Sequence, residues 1–162
     1  MFILGVKKTT QTDFVYGELD RMPLQNMRLY CIIKFWIKIL HTNENNYIRK
    51  IYNTLYTDSL SNHTRQNWCS KLKNIGSSLG LHDEWYFQTV GDSTLTLSLV
   101  KQRIKDQFLQ NWNSRLSTSS RALFYRNIAN FTFQPYLNIL NIGSVRKSMS
   151  QLRLSSHRLC IE

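Results

Sequence analysis

Two stretches of the sequence set hydroxyls beside guanidinium groups: Ser119-Ser120-Arg121-Ala122-Leu123-Phe124-Tyr125-Arg126 and Leu152-Arg153-Leu154-Ser155-Ser156-His157-Arg158-Leu159. Hydroxyls donate hydrogen bonds, and the planar fork of arginine matches two phosphate oxygens at once, so this local pattern suits a phosphate group. The same serines could instead serve as ordinary helix N-caps. The candidate phosphate contacts are Arg121, Arg126, Arg146, Lys147, Arg153, His157 and Arg158, with Tyr125 as a group on which a base could stack. Trp112 fits a core position better than a stacking platform.

Other chemistries fail on residue type or spacing. Metal binding needs three or four ligands at short spacing, and the closest pair is His157 with Cys160, half a site at best; His41, His63 and His82 stand apart. Nucleophilic catalysis would need a Gly-x-Ser-x-Gly elbow or a cysteine motif, and the sequence has neither; Cys31 and Cys69 fall on or beside apolar faces, where thiols are inert. Asp83 and Glu84 are adjacent and would point apart on a helix, while Asp13, Glu18 and Asp20 lie in an irregular N-terminal stretch. Gly76 and Gly80 are isolated, with no Gly-Lys-Ser/Thr to form a phosphate loop. The chain alone is therefore not expected to be an enzyme, to hold a metal or other cofactor, or to take a small-molecule substrate.

Charge reinforces the phosphate reading. The 162 residues carry 21 Lys+Arg against 10 Asp+Glu, a formal charge of +11. Most of the excess lies beyond Ser98, where arginine replaces lysine at Arg103, Arg115, Arg121, Arg126, Arg146, Arg153 and Arg158. Aromatic residues interleave with them, the composition of a nucleic-acid surface. The alternative is that these arginines simply solvate exposed helix faces. Three scattered cysteines rule out a disulfide framework and suit a reducing compartment. The N-terminus does not read as a signal peptide, because Lys7-Lys8 follow its short apolar run. The most apolar stretch, residues 30–40, contains Lys34 and Lys38 and falls well short of the roughly 20 residues that cross a bilayer. An intracellular protein, in cytoplasm or nucleus and without a membrane partner, is expected.

The elements that would position these groups are helical. After Pro23, Leu24, Met27, Cys31, Phe35 and Ile39 recur at three- and four-residue spacing, with Ile32 and Trp36 widening the stripe, which predicts a helix of about 18 residues. Helices are also predicted from Tyr47 to about Leu60, from Arg65 to Leu79 with Gly80 as a stop, and from Ser93 to Leu116. The last of these carries Val100, Ile104, Phe108, Trp112 and Leu116 on one line. Residues 81–92 read as a loop with a short helix, residues 121–130 as a helix, and residues 144–154 as a final helix with Val145, Met149 and Leu152 on its apolar face. No convincing strand or repeat interrupts this, so the fold class is all-α, an irregular bundle of about six helices with a basic C-terminal part. Residues 1–22 read as an irregular segment and 23–162 as one helical domain, divisible into 23–92 and 93–162.

Several of these runs together resemble a known family. Leu4-Gly5-Val6-Lys7-Lys8-Thr9-Thr10, Tyr16-Gly17-Glu18-Leu19, Trp36-Ile37-Lys38-Ile39-Leu40, Asn67-Trp68, Val90-Gly91-Asp92, Ser119-Ser120-Arg121-Ala122-Leu123-Phe124-Tyr125 and Leu154-Ser155-Ser156-His157-Arg158-Leu159 resemble, in this order, one region of LINE-type (non-LTR) retrotransposon reverse transcriptases. The region is the C-terminal one, beyond the polymerase core, as found in mollusc and other invertebrate genomes. The resemblance covers nearly the whole chain. It implies a helical, template-engaging extension of an RNA-directed DNA polymerase, here an orphan fragment without the rest of the enzyme. In the family the metal-binding Asp-Asp motif lies upstream and a Cys/His-rich knuckle downstream; neither is in this sequence, so neither polymerisation nor a zinc role carries over. The expected activity is binding of RNA or DNA backbone with little sequence preference, and apolar surface should be exposed where the neighbours are missing. The rival reading is a helical protein-interaction module using Trp36, Tyr52 or the Trp85-Tyr86-Phe87 cluster.

Overall fold

The computed structural model describes residues 4–61 and 66–154, and among these every regular element is helical. None of these helices is long and apolar enough to cross a membrane. The chain divides into two compact units: a terminal unit of Met1–Pro23 with Gln107–Glu162, and a central unit of Leu24–Asp106. The first boundary falls within one residue of the expected end of the N-terminal segment, and the second lies beyond the expected 92/93 division. The N-terminal segment is not irregular but contains a helix, and it joins the C-terminal part; the second boundary lies inside a helix.

The central unit contains α2 (Leu24–Leu40), α3 (Tyr47–Ser61), α4 (Trp68–Ser78), α5 (His82–Phe87) and residues 93–106 of α6 (Ser93–Thr118), following α1 (Thr12–Leu19) in chain order. Its boundaries have local causes. Asn67 caps α4 by accepting from the Ser70 amide at 3.0 Å, and Asp92 caps α6 by accepting from the Thr94 and Leu95 amides. Gly80, at φ +70°, ends α4 as its position predicts. The α2 range matches expectation, and its buried face is Ile33, Trp36, Ile37 and Ile39; of the expected line Ile39 is buried, while Leu24, Met27, Cys31 and Phe35 face solvent. A helix apolar most of the way round can turn its core face, here keeping Trp36, whose large ring buries the most area, and centring on Ile33 and Ile37. Trp36 also finds a polar partner, its Nε1–H donating to the Tyr52 hydroxyl at 3.0 Å, which in turn donates to Gln88 Oε1 at 2.6 Å.

In the terminal unit, α1 and residues 107–118 of α6 are joined by a 3-10 turn (Ser120–Ala122), α7 (Leu123–Ile128), α8 (Tyr136–Ile139) and α9 (Gly143–Arg153). Phe108, Trp112 and Leu116 form the α6 contribution to its core, as their spacing predicts. Phe14 and Val15 come from α1, and Tyr125 and Leu137 from the later helices. Gly17 makes this packing possible, because a Cβ there would lie 2.6 Å from the Tyr125 hydroxyl and 2.7 Å from the Trp112 ring. On α9 the expected apolar face is reversed: Val145, Met149 and Leu152 are exposed while Ser150 is buried. Ser150 is held by the Tyr136 hydroxyl at 3.0 Å and by donation to the Arg146 carbonyl at 3.0 Å.

Candidate nucleic-acid interface

Two ion pairs organise the terminal unit, one at its surface and one buried. Arg115 forks onto Asp13, with Nη2 2.8 Å from Oδ1 and Nε 3.1 Å from both carboxylate oxygens. Arg153 forks onto Glu18, whose side chain is fully buried, at 3.0 to 3.2 Å. The Arg153 guanidinium also donates to Gln134 Oε1 at 3.0 Å and lies over the Tyr136 ring. Burial opposes the charge on Arg153, but the Glu18 contact more than reverses this and holds its pKa above the ordinary value. Burial, with the nearby Glu18 charge, pushes the Tyr125 phenol far above its usual range.

These contacts correct two of the expected site residues. Arg153 is committed to a buried carboxylate and has no fork left for phosphate. Tyr125 is fully buried, its ring 4.7 Å from that of Phe14 and its hydroxyl donating to the Phe14 carbonyl at 3.1 Å, so no base can stack on it. His157 and Arg158 lie outside the described residues. The remaining four stay at or near the surface. Arg121 and Arg126 are exposed at the 3-10 turn and α7, and Arg126 donates to the Ser117 carbonyl at 3.1 Å. Lys147 is exposed and Arg146 half-buried on α9. Ser119 does not cap the turn; its hydroxyl donates instead to Gln11 Oε1 at 3.1 Å.

The N-terminal strap brings further cations that the sequence reading assigned to no site. Gly5, at φ +62°, leaves room for the Lys147 stem, and Gln151 Nε2 donates to the Gly5 carbonyl at 3.0 Å, tying the strap to α9. A turn closed by the Thr10 amide on the Lys7 carbonyl at 3.1 Å then leads to Gln11. The result is an open cavity of about 390 Å³ with Lys7 and Arg121 among its walls, joined by Thr9, Thr10 and Gln11, over Phe14 and Leu154. A signal for this was present in the sequence: Lys7-Lys8-Thr9-Thr10 sets cations beside hydroxyls just as Ser119-Ser120-Arg121 does.

Among the described residues no group of three His, Cys, Asp or Glu could hold a metal ion. The aromatic residues of the rival reading are mostly structural: Trp36, Tyr52 and Trp85 are buried in the central core, leaving Tyr86 and Phe87 exposed. No protein-family model matches the sequence, and no curated protein or solved structure matches it.

Proposed function

We propose that the chain is a helical, post-polymerase region of a LINE-type retrotransposon reverse transcriptase, and that it holds RNA or DNA through phosphate contacts with little sequence preference. The sequence resemblance supplies the family, and the catalytic carboxylates of such a polymerase are absent from this sequence. The observation that carries the binding role is the use of acidic residues in the terminal unit. Among its described residues the carboxylates are Asp13, Glu18 and Asp20, and two of them are consumed internally by Arg115 and Arg153. Lys7, Lys8, Arg21, Arg121, Arg126, Arg146 and Lys147 then face a single remaining carboxylate, Asp20. In the central unit Glu44, Asp58, Asp83, Glu84, Asp92 and Asp106 offset six of its ten described cations. A surface with its anions internalised attracts polyanions by counterion release, independent of sequence.

The test is the salt dependence of single-stranded RNA binding in the full chain and in Arg121→Gln, Arg126→Gln and Lys147→Gln. Each variant should lower affinity and make the slope of log K against log salt shallower by about 0.7. Unchanged slopes in all three would remove these residues from the interface. A groove between α2 and α4, lined by Leu29, Ile32, Trp68, Leu72 and Ile75, favours the second reading, a protein-interaction module, which predicts a partner affinity insensitive to salt.

A further inference from the structure

On the central unit, α2 and α4 leave a groove whose two walls repeat one pattern. Gln25, Arg28, Leu29 and Ile32 line it from α2, and Trp68, Lys71, Leu72 and Ile75 from α4, each set at positions i, i+3, i+4 and i+7. That spacing lays two helical turns, about 10 Å, along each side. The cavity between them is about 340 Å³, and its apolar surface runs on to the exposed Phe35, whose ring stands edge-on to Trp68 at 6.1 Å. Leu24 and Met27 are also exposed on α2. An apolar trough between two helical ridges has the shape that accepts a third helix, and its aliphatic floor offers no donors to a phosphate.

The charge on the walls says which helix. Neither α2 nor α4 contains an acidic residue, while together they carry Arg28, Lys34, Lys38, Lys71 and Lys73. Arg28 and Lys71 stand exposed, one on each wall. Asp58, on the adjoining α3, already accepts from Asn67 Nδ2 at 3.4 Å. We propose that the groove docks an acidic amphipathic helix of a partner protein, with apolar side chains at i, i+3 or i+4, and i+7 on the floor and Asp or Glu on both flanks. A formal charge of +11 on each chain opposes a second copy as the occupant. The apolar contacts supply the affinity, and the exposed rim pairs, screened by salt, supply selectivity. This inference rests on the protein-interaction reading and leaves phosphate binding by the terminal unit untouched.

The probe is a labelled, designed peptide of about 18 residues, long enough to be helical, with leucines on one stripe and glutamates on both flanks. One control replaces its glutamates with lysines, and another replaces its leucines with alanines. Binding to the full chain is read by anisotropy at about 50 mM salt, and its place by amide NMR. The glutamate peptide should bind roughly tenfold more tightly than either control and shift the amides of Leu29, Ile32, Lys71 and Ile75. Arg28→Glu combined with Lys71→Glu, both exposed positions, should reverse the preference toward the lysine peptide, with circular dichroism showing the fold kept. Equal binding of the alanine peptide, or a preference that survives the double substitution, overturns the proposal, because the attraction is then charge alone or lies elsewhere. Binding of the lysine peptide in preference overturns the acidic partner and keeps a protein-docking groove; binding of neither leucine peptide overturns the protein-interaction reading as well. Single-stranded RNA that shifts the same amides, or a dimer that the double substitution dissociates, would give the groove to nucleic acid or to a second copy and overturn the proposal.

Discussion

Replacing Arg153 with alanine separates its structural role from phosphate binding. The Glu18 carboxylate is fully buried and receives three hydrogen bonds from Arg153, and the neighbouring Gln134 Oε1 receives a fourth. Arg153→Ala strands a buried negative charge without its partner, which costs about 3–5 kcal/mol. Glu18→Gln is the milder change, because the Arg153 side chain is 16 % exposed and can recruit water; about 1–2 kcal/mol is expected. The ordering is as informative as the size: loss of the arginine should cost more than loss of the acid. Arg153→Met combined with Glu18→Gln should recover part of the loss, since no unpaired charge is then buried. Urea unfolding, followed by hydrogen exchange at the Phe14 and Tyr125 amides, localises the effect to the terminal unit. An Arg153→Ala cost below about 1 kcal/mol would refute the buried-pair argument and return Arg153 to the binding surface.

Three further outcomes follow from the packing. Gly17→Ala forces a Cβ against Tyr125 and Trp112 and should destabilise the terminal unit by about 2 kcal/mol, measured by thermal or urea denaturation; a neutral or stabilising result would contradict the close α1 packing. Tyr125→Phe should cost about 1 kcal/mol and leave RNA affinity unchanged; reduced affinity at unaltered stability would restore the stacking role. Burial pushes the Tyr52 phenol up to about 12 and the Cys69 thiol up to about 11, so the fold favours their protonated forms. Stability from these groups is full below about pH 8, where both are protonated folded or unfolded, and is lost as pH rises toward 12, by about 3 kcal/mol for Tyr52. Urea midpoints across this range test the sign, and flat stability up to pH 12 would contradict it.

The long, strongly periodic elements were legible in the sequence. The α6 line from Val100 to Leu116 and the helices after Pro23 and Asn46 stand close to their predicted limits, because 3.6-residue spacing survives over several turns. What the pattern missed has identifiable causes. The eight residues of α1 are too short for periodicity to register, so Asp13 and Glu18 read as part of an irregular stretch, and their partners Arg115 and Arg153 lie more than a hundred residues away. That same long-range pairing hid the structural role of Arg153. On α9, hydrogen bonds from Tyr136 and Ser150 override the apolar stripe. Arg121, Arg126, Arg146 and Lys147 fall on the terminal unit as charge alone indicated, whereas the partner cation Lys7 became visible only once Gly5 and Gln151 placed the strap beside the 3-10 turn.

The most direct test of the central claim is the binding of a labelled single-stranded RNA to the full chain at about 50 mM and about 200 mM salt, read by fluorescence anisotropy. With Lys7, Lys8, Arg121, Arg126, Arg146 and Lys147 each meeting a phosphate, the slope of log K against log salt should be about −4, so affinity should fall by about 10²-fold or more over this range. Absence of binding at the lower salt, or an affinity that does not change between the two, would contradict a phosphate-binding role for the terminal unit.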